Sequence, residues 1–129
     1  MGRKFTVVAS CDFPYLWRYN LLLSCEMCDA AGERIDFAYE ERRTGDIGCQ
    51  MKRKPADWKP SDVVLSTIEC DHIRALLYVN PHTMPAGREV EALPPFEVRV
   101  KVSDGEEILY NKIHYVDQRG GASISITLP

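Results

Sequence analysis

Thiol and imidazole groups give this sequence a spacing that is typical of zinc sites. Cys25 and Cys28 form a Cys-x-x-Cys pair, and Cys70 and His72 follow far along the chain. Zinc prefers four soft ligands in a tetrahedron, and a Cys-x-x-Cys pair supplies two of them on a tight turn. The pair lies instead in a stretch that alternates as a β-strand, which places its two thiols on opposite faces. We therefore predict buried free thiols and no metal or other cofactor, with structural zinc as the alternative.

Catalytic chemistry has weaker signals. Nucleophilic catalysis needs a serine, cysteine or threonine beside a base and a third orienting group. The histidines are His72, His82 and His114, and none lies in a nucleophile motif such as Gly-x-Ser-x-Gly. His114 has the parity of the polar face of its predicted strand, which indicates a surface position. Adjacent glutamates on a strand face opposite ways, so they cannot form an acid and base pair. We predict no catalytic residue and no enzymatic activity.

Positive charge is concentrated in the segment 42–59, although the formal net charge of the chain is −3. A basic hairpin beside Trp58 would suit single-stranded nucleic acid through phosphate neutralisation and base stacking. Because a single aromatic residue accompanies the charge, nucleic-acid binding is the lesser alternative. An acidic remainder facing this basic segment favours a protein partner or head-to-tail self-assembly.

A proline-rich loop is the second place where a partner is expected. The segment 80–95 contains four prolines and no hydrophobic periodicity. Loops of this length are uncommon unless they bind, cover a sheet edge or connect two sheets. Together the two segments supply the predicted partner-binding residues: Arg42, Arg43, Lys52, Arg53, Lys54, Trp58, His82 and Met84.

The C-terminal third of the chain has the clearest strand pattern. Alternation puts the apolar residues from Phe96 to Val102 on one face. The Asp-Gly dipeptide at 104–105 is typical of a two-residue type I′ turn. That loop predicts that Val100 pairs with Leu109 and that Phe96 pairs with Ile113, apolar against apolar.

A second turn extends this hairpin in the prediction. The adjacent glycines at 120–121 indicate a four-residue loop over 118–121. Such a loop sets Tyr115 opposite Ile124 and Ile113 opposite Ile126, again on the apolar face. The segment 96–128 is therefore predicted to be a three-stranded antiparallel meander.

The N-terminal half predicts another hairpin. Alternation runs from Trp17 to Met27 and resumes after a loop over 30–32, in which Gly32 supplies a left-handed residue. With this loop, the apolar residues of the two strands lie on the same face of the hairpin. The predicted cross-strand pairs are Met27 with Ile35, Cys25 with Phe37, and Leu23 with Tyr39.

The segment 61–79 is the ambiguous one, because its length fits a helix while its β-branched residues favour two strands around a polar turn at 69–72. We predict two strands. Short strands at close spacing then indicate a single all-β domain over 1–129, an antiparallel β-sandwich of about eight or nine strands with an immunoglobulin-like or transthyretin-like architecture. The alternative is a closed β-barrel with one helix near 61–78.

Location and function follow as expectations. The chain has five cysteines, no recognisable signal peptide and no apolar run long enough to span a membrane, so we predict reduced thiols and a cytoplasmic location. The favoured function is a non-enzymatic interaction or assembly module that binds a protein partner or forms a homo-oligomer. The alternative is a ligand-binding barrel or small enzyme, with Trp17, Tyr19 and Tyr39 lining a cavity and His82 at its mouth.

Overall fold

The structure is a computed structural model that describes residues 2–45, 54–56, 58–59, 61–83, 94–105 and 107–128. This part of the chain contains one short 3₁₀ helix, Leu16–Arg18, and no helix in it is long and apolar enough to cross a membrane. It also contains eight strands: β1 Phe5–Ser10, β2 Tyr19–Cys28, β3 Arg34–Arg42, β4 Val63–Ser66, β5 His72–Pro81, β6 Phe96–Asp104, β7 Glu107–Val116 and β8 Ala122–Leu128.

The strands form two four-stranded antiparallel sheets that pack face to face. Sheet one has the order β4-β1-β6-β7, and sheet two has the order β3-β2-β5-β8. The predicted β-sandwich is therefore confirmed, and the closed barrel is wrong. The prediction of two strands over 61–79 is confirmed as well, because β4 and β5 occupy that segment. Residues 46–53 of the predicted basic hairpin lie outside the described residues.

The core lies between the sheets, where alternate residues of β1, β2, β5 and β6 are buried. The predicted apolar face of β6 from Phe96 to Val102 is confirmed. At one end, the Phe13 ring stacks on Phe96 with centroids 4.2 Å apart. Beside them the buried Tyr19 hydroxyl donates a 2.6 Å hydrogen bond to the carbonyl oxygen of Gln118. Burial raises the pKa of Tyr19 to about 12, which keeps this donor protonated.

The predicted three-stranded meander is wrong at its last strand. After β7 the chain turns at residues 118–120 and crosses to sheet two, where β8 pairs with β5. Ile124 lies opposite Leu77, and Ile126 lies opposite Ala75. Both isoleucines are buried, as the alternation predicted. A period-two pattern identifies the buried face of a strand but does not identify the neighbour with which the strand pairs.

The predicted register between β6 and β7 is also wrong. Asp104 pairs with Glu107, and the register then shifts by one residue between Val102 and Ser103. Val100 consequently faces Lys112, and Phe96 faces Val116. A β-bulge of this kind adds one residue to one strand and so exchanges the two faces of the strand beyond it.

The predicted register of the hairpin between β2 and β3 is also wrong by one residue. Gly32 adopts the predicted left-handed conformation, with φ of 85°. The register shifts between Met27 and Cys28, so that Cys28 faces Arg34 while Met27 faces Asp36. The predicted pairs are therefore displaced by one residue along the rest of β3. The observed pairs include Glu26 with Phe37, Cys25 with Ala38, and Ser24 with Tyr39.

Candidate functional site

The two register shifts turn apolar side chains to solvent on two edge strands. On β3, Phe37 is 46% exposed and Tyr39 is 62% exposed. On β7, Ile113 is 40% exposed and Tyr115 is 66% exposed. We call the outward apolar residues of β3, Ile35, Phe37 and Tyr39, the β3 stripe. Those of β7, Ile108, Ile113 and Tyr115, are the β7 stripe.

The stripes lie at opposite corners of the sandwich. β3 is the edge strand of sheet two beside β4, whereas β7 is the edge strand of sheet one beside β8. Because each stripe is on the outer face of its own sheet, the two stripes face in opposite directions. Both are accessible at once.

Charged residues occupy the opposite parity of both edge strands. Asp36 and Glu40 have the inward parity of β3, since they pair with the buried Met27 and Leu23. Lys112 holds the equivalent position on β7, opposite Val100. Charged side chains that point inward at a sheet edge oppose the addition of another strand. A partner is therefore expected to contact the outward faces of these strands rather than extend the sheets.

Ion pairs surround the β3 stripe on the outer face of sheet two. Glu26 accepts from Arg74 at 3.2 Å, and Arg34 lies 3.8 Å from the same carboxylate. The Arg34 guanidinium lies over the Phe37 ring, 5.7 Å from its centroid. A groove of about 310 Å³ runs from Phe37 towards β8, past Leu76. The surface thus has an apolar centre with charged groups around it.

The outer face of sheet one beside the β7 stripe is basic. Arg99 and Lys101 are exposed on β6, and Arg99 donates a 2.6 Å hydrogen bond to the side-chain oxygen of Asn111 on β7. A groove of about 360 Å³ lies between Ile113 and the end of β1. Cys11 lines this groove, and its sulfur atom lies 3.2 Å from the carbonyl oxygen of Glu97. Burial raises the pKa of Cys11, which favours the protonated thiol as a hydrogen-bond donor.

Arg42 of the basic segment is held by contacts within the chain. Arg42 donates a 2.6 Å hydrogen bond to the carbonyl oxygen of Ser61 and another to that of Lys59. Its guanidinium also lies over the half-buried Trp58, 5.5 Å from the ring centroid. Arg42 therefore holds the connector between β3 and β4, and its predicted role in partner binding stays a prediction.

The other predicted partner-binding residues of the two segments include two that are exposed and three that are not described. Arg43 and Lys54 are exposed, and Arg43 borders a groove of about 300 Å³ with Trp58. Lys52, Arg53 and Met84 lie outside the described residues.

His82 is a buried structural residue, not an exposed loop residue. Its Nε2 atom lies 2.9 Å from the carbonyl oxygen of Trp17 and 2.7 Å from the Thr44 hydroxyl, while Nδ1 lies 2.8 Å from the Thr83 hydroxyl. Burial lowers the pKa of His82, which favours the neutral imidazole. The residue ties the start of β2 to the ends of β3 and β5.

The proposed barrel cavity is wrong for a related reason. Trp17 and Tyr19 are buried in the sandwich, whereas Tyr39 is one of the most exposed aromatic residues described. The three rings therefore do not line a common space. His114 also differs from its predicted position on the polar surface, because it is half-buried with Nε2 2.7 Å from the Tyr110 hydroxyl.

Three of the four described cysteines have the predicted environment. Cys25, Cys28 and Cys70 are buried and free, and burial raises the pKa of Cys25 to about 12. An Arg74 side-chain nitrogen donates to the Cys28 sulfur at 3.4 Å. In the described part of the chain, no group of three or more His, Cys, Asp or Glu residues is arranged to hold a metal ion.

Comparison with known proteins adds little to this geometry. No protein-family model matches the chain, and no curated protein matches it. One solved structure is similar, a DUF4425 family protein from Bacteroides ovatus, with 8% sequence identity and a TM-score of 0.46. The alignment covers 99% of this chain and 94% of that protein. Similarity at this level carries no information about function.

Proposed function

We propose that this protein is a non-enzymatic interaction or assembly module that binds a protein partner through the β3 and β7 stripes. The observation that supports the proposal most is the exposure of Tyr39 and Tyr115, both more than 60% accessible on otherwise ordered strands. Tyrosine and other aromatic residues are enriched at protein interfaces, where they supply much of the binding energy.

The surroundings of the β3 stripe support the same proposal. Interfaces combine an apolar centre with a polar rim. Phe37 and Tyr39 would form such a centre, and the ion pairs of Glu26 with Arg34 and Arg74 would form part of the rim. The neighbouring Tyr78 is 37% exposed two strands away on the same face, so the apolar surface extends beyond a single side chain.

A cytoplasmic location is part of the proposal. The four described cysteines carry no disulfide, and three of them are buried. Free buried thiols are typical of proteins from reducing compartments.

The proposal predicts that Phe37→Ser combined with Tyr39→Ser weakens partner binding by at least about 30-fold, since a single aromatic hot spot contributes about 2 kcal/mol or more. Both side chains are exposed, so the free energy of unfolding should change by less than about 0.5 kcal/mol per site. Light scattering over a concentration series would detect self-association. Affinity capture from an extract would detect another protein partner.

Ile68→Ser is the matched control. Ile68 is 47% exposed but lies in the turn between β4 and β5, outside both stripes. The control variant should bind like the unmodified protein. Full retention of every association by the Phe37→Ser, Tyr39→Ser variant would contradict the proposed role of the β3 stripe.

A further inference from the structure

We propose that two copies of this chain associate through the free edge of β8, which pairs antiparallel with β8 of the second copy about Ser125. The contact is made by backbone hydrogen bonds at a sheet edge, so it uses a different surface from the β3 and β7 stripes. The contrast between β8 and the other three edge strands carries the proposal.

Three of the four edge strands have a feature that opposes the addition of another strand. Sheet edges in natural proteins are protected by short strands, by β-bulges and by charged side chains that point inward. β4 has only four residues. A register shift interrupts the pairing of β3 and of β7, and the inward parity holds Asp36 and Glu40 on β3 and Lys112 on β7. These three edges are therefore poor templates for a further strand.

β8 has none of these features. Its seven residues, Ala122–Leu128, include no charged residue and no proline, and its register with β5 has no shift. Among the residues that the structure describes, β5 is the one strand that pairs with β8. Alternate residues of an antiparallel strand turn their N–H and C=O groups to opposite sides, so about half of the β8 residues direct these groups away from β5. An extended backbone is the partner that such an edge binds.

The side chains of β8 favour a second β8 as that backbone. Ser125 is the central residue of the strand, so a two-fold axis at Ser125 brings the full length of both strands into contact. Ile124 then faces Ile126 of the second copy, and Ser123 faces Thr127 of the second copy. Apolar residues meet on the inner face and hydroxyl groups meet on the outer face. Cross-strand pairs of this kind stabilise antiparallel sheets.

The two-fold axis also joins the sheets in a closed arrangement. Because the axis is perpendicular to sheet two, the buried faces of both copies lie on the same side of the joined sheet, whose order is β3-β2-β5-β8-β8-β5-β2-β3. β8 brings no like charges together, since it has no charged residue. A surface that binds its own equivalent gives a closed dimer, so assembly through β8 ends at two copies.

Opposite charges at the two-fold axis provide the test. Ser125 is exposed, and in the proposed pair its Cα atom lies about 5 Å from that of Ser125 in the second copy. Ser125→Lys and Ser125→Glu would be measured alone and in an equimolar mixture by sedimentation velocity, up to about 1 mM to include weak association. Ser66→Lys is the matched control, because Ser66 is an exposed serine on the edge strand β4. Thermal denaturation of each variant establishes that it is folded.

The expected result is that the unmodified protein and the Ser66→Lys variant form a dimer with twice the 14.7 kDa mass of one chain. Each Ser125 variant alone should dimerise at least about fivefold more weakly, because like charges then face each other across the axis. Their mixture should regain the dimer, with one copy of each variant, because opposite charges meet there. This recovery requires that residue 125 faces its own equivalent.

Three results would overturn the proposal. The first is an unmodified protein that stays monomeric up to about 1 mM. The second is a dimer that neither Ser125 variant weakens, or that the mixture does not restore. The third is a monomeric protein that binds another protein less tightly after Ser125→Lys, which would assign the β8 edge to a strand of that protein. The Phe37→Ser, Tyr39→Ser variant should keep the β8 dimer, so the proposed role of the β3 stripe and this inference can fail separately.

Discussion

Replacing Gly121 by alanine is expected to lower the free energy of unfolding by about 2–5 kcal/mol, because backbone strain and a steric clash coincide there. Gly121 has φ of 72°, and a Cβ atom on it would lie 2.0 Å from the carbonyl oxygen of Val79 and 2.9 Å from the Pro81 ring. The Val79 oxygen belongs to β5, the strand that β8 joins. The clash therefore falls where the chain changes sheets.

Gly32→Ala is the matched control for this prediction. Gly32 also has a positive φ, but a Cβ atom there would meet no atom within 4 Å. Gly32→Ala should therefore lower the free energy of unfolding only by the penalty for a left-handed alanine, about 1–2 kcal/mol. Urea denaturation of the two variants measures the difference. Equal losses would contradict the close approach of Gly121 to β5.

The second large effect is expected at His82. His82→Ala removes a side chain that bonds the Trp17 carbonyl oxygen and the hydroxyl groups of Thr44 and Thr83. Buried polar groups left without partners cost about 1–3 kcal/mol, so we expect a loss of about 2–4 kcal/mol.

His82 should also give the protein a dependence of stability on pH. Burial lowers the pKa of His82 in the folded state, so the unfolded chain binds a proton more readily. The contribution of His82 to the free energy of unfolding is fully present above the pKa of histidine in the unfolded chain, about 6.5. As the pH falls below that value, the contribution is lost by at most about 1.4 kcal/mol per pH unit. Denaturation at a series of pH values should show this decline, and His82→Ala should reduce it.

Thr83→Val separates the loss of stability from the dependence of stability on pH. It removes a hydroxyl from the same cluster but keeps the imidazole. The variant should therefore be less stable than the unmodified protein and still lose stability on acidification. An unmodified protein and a His82→Ala variant with identical pH profiles would show that His82 is not the titrating group.

Much of the fold was predictable because alternation depends on burial alone. The inward faces of β2 and β6 were identified from period-two patterns, and the turn at Gly32 from its need for a left-handed residue. The sequence could not assign β8 to its sheet. Ile124 and Ile126 bury the same face whether their strand pairs with β7 or with β5.

The stripes were beyond prediction for a different physical reason. In β3 the polar residues Asp36 and Glu40 alternate with Phe37 and Tyr39, so either face could be turned inward by a single bulge. A central strand would bury its aromatic face. On an edge strand the second sheet covers less of the inward face, so charged residues can take that parity. The most exposed aromatic residues were consequently predicted to be core.

His82 was placed in a loop by the prediction, whereas the residue is buried. Its proline-rich surroundings indicated a loop, but β5 continues to Pro81 and places the imidazole against Trp17 and Thr44. These contacts join residues far apart in sequence, and no local pattern indicates them.

Hydroxyl-radical labelling of the tyrosines in dilute and concentrated protein would test the role of the stripes most directly. Tyr39 and Tyr115 are predicted to be labelled much faster than the buried Tyr19 in dilute solution and to become protected together at high concentration. Tyr15, which is 46% exposed and lies outside the stripes, should be labelled equally in both. Labelling of Tyr39 and Tyr115 that is as slow as that of Tyr19 in dilute solution would contradict the exposure of the two stripes. Labelling that does not change with concentration would contradict self-association through them.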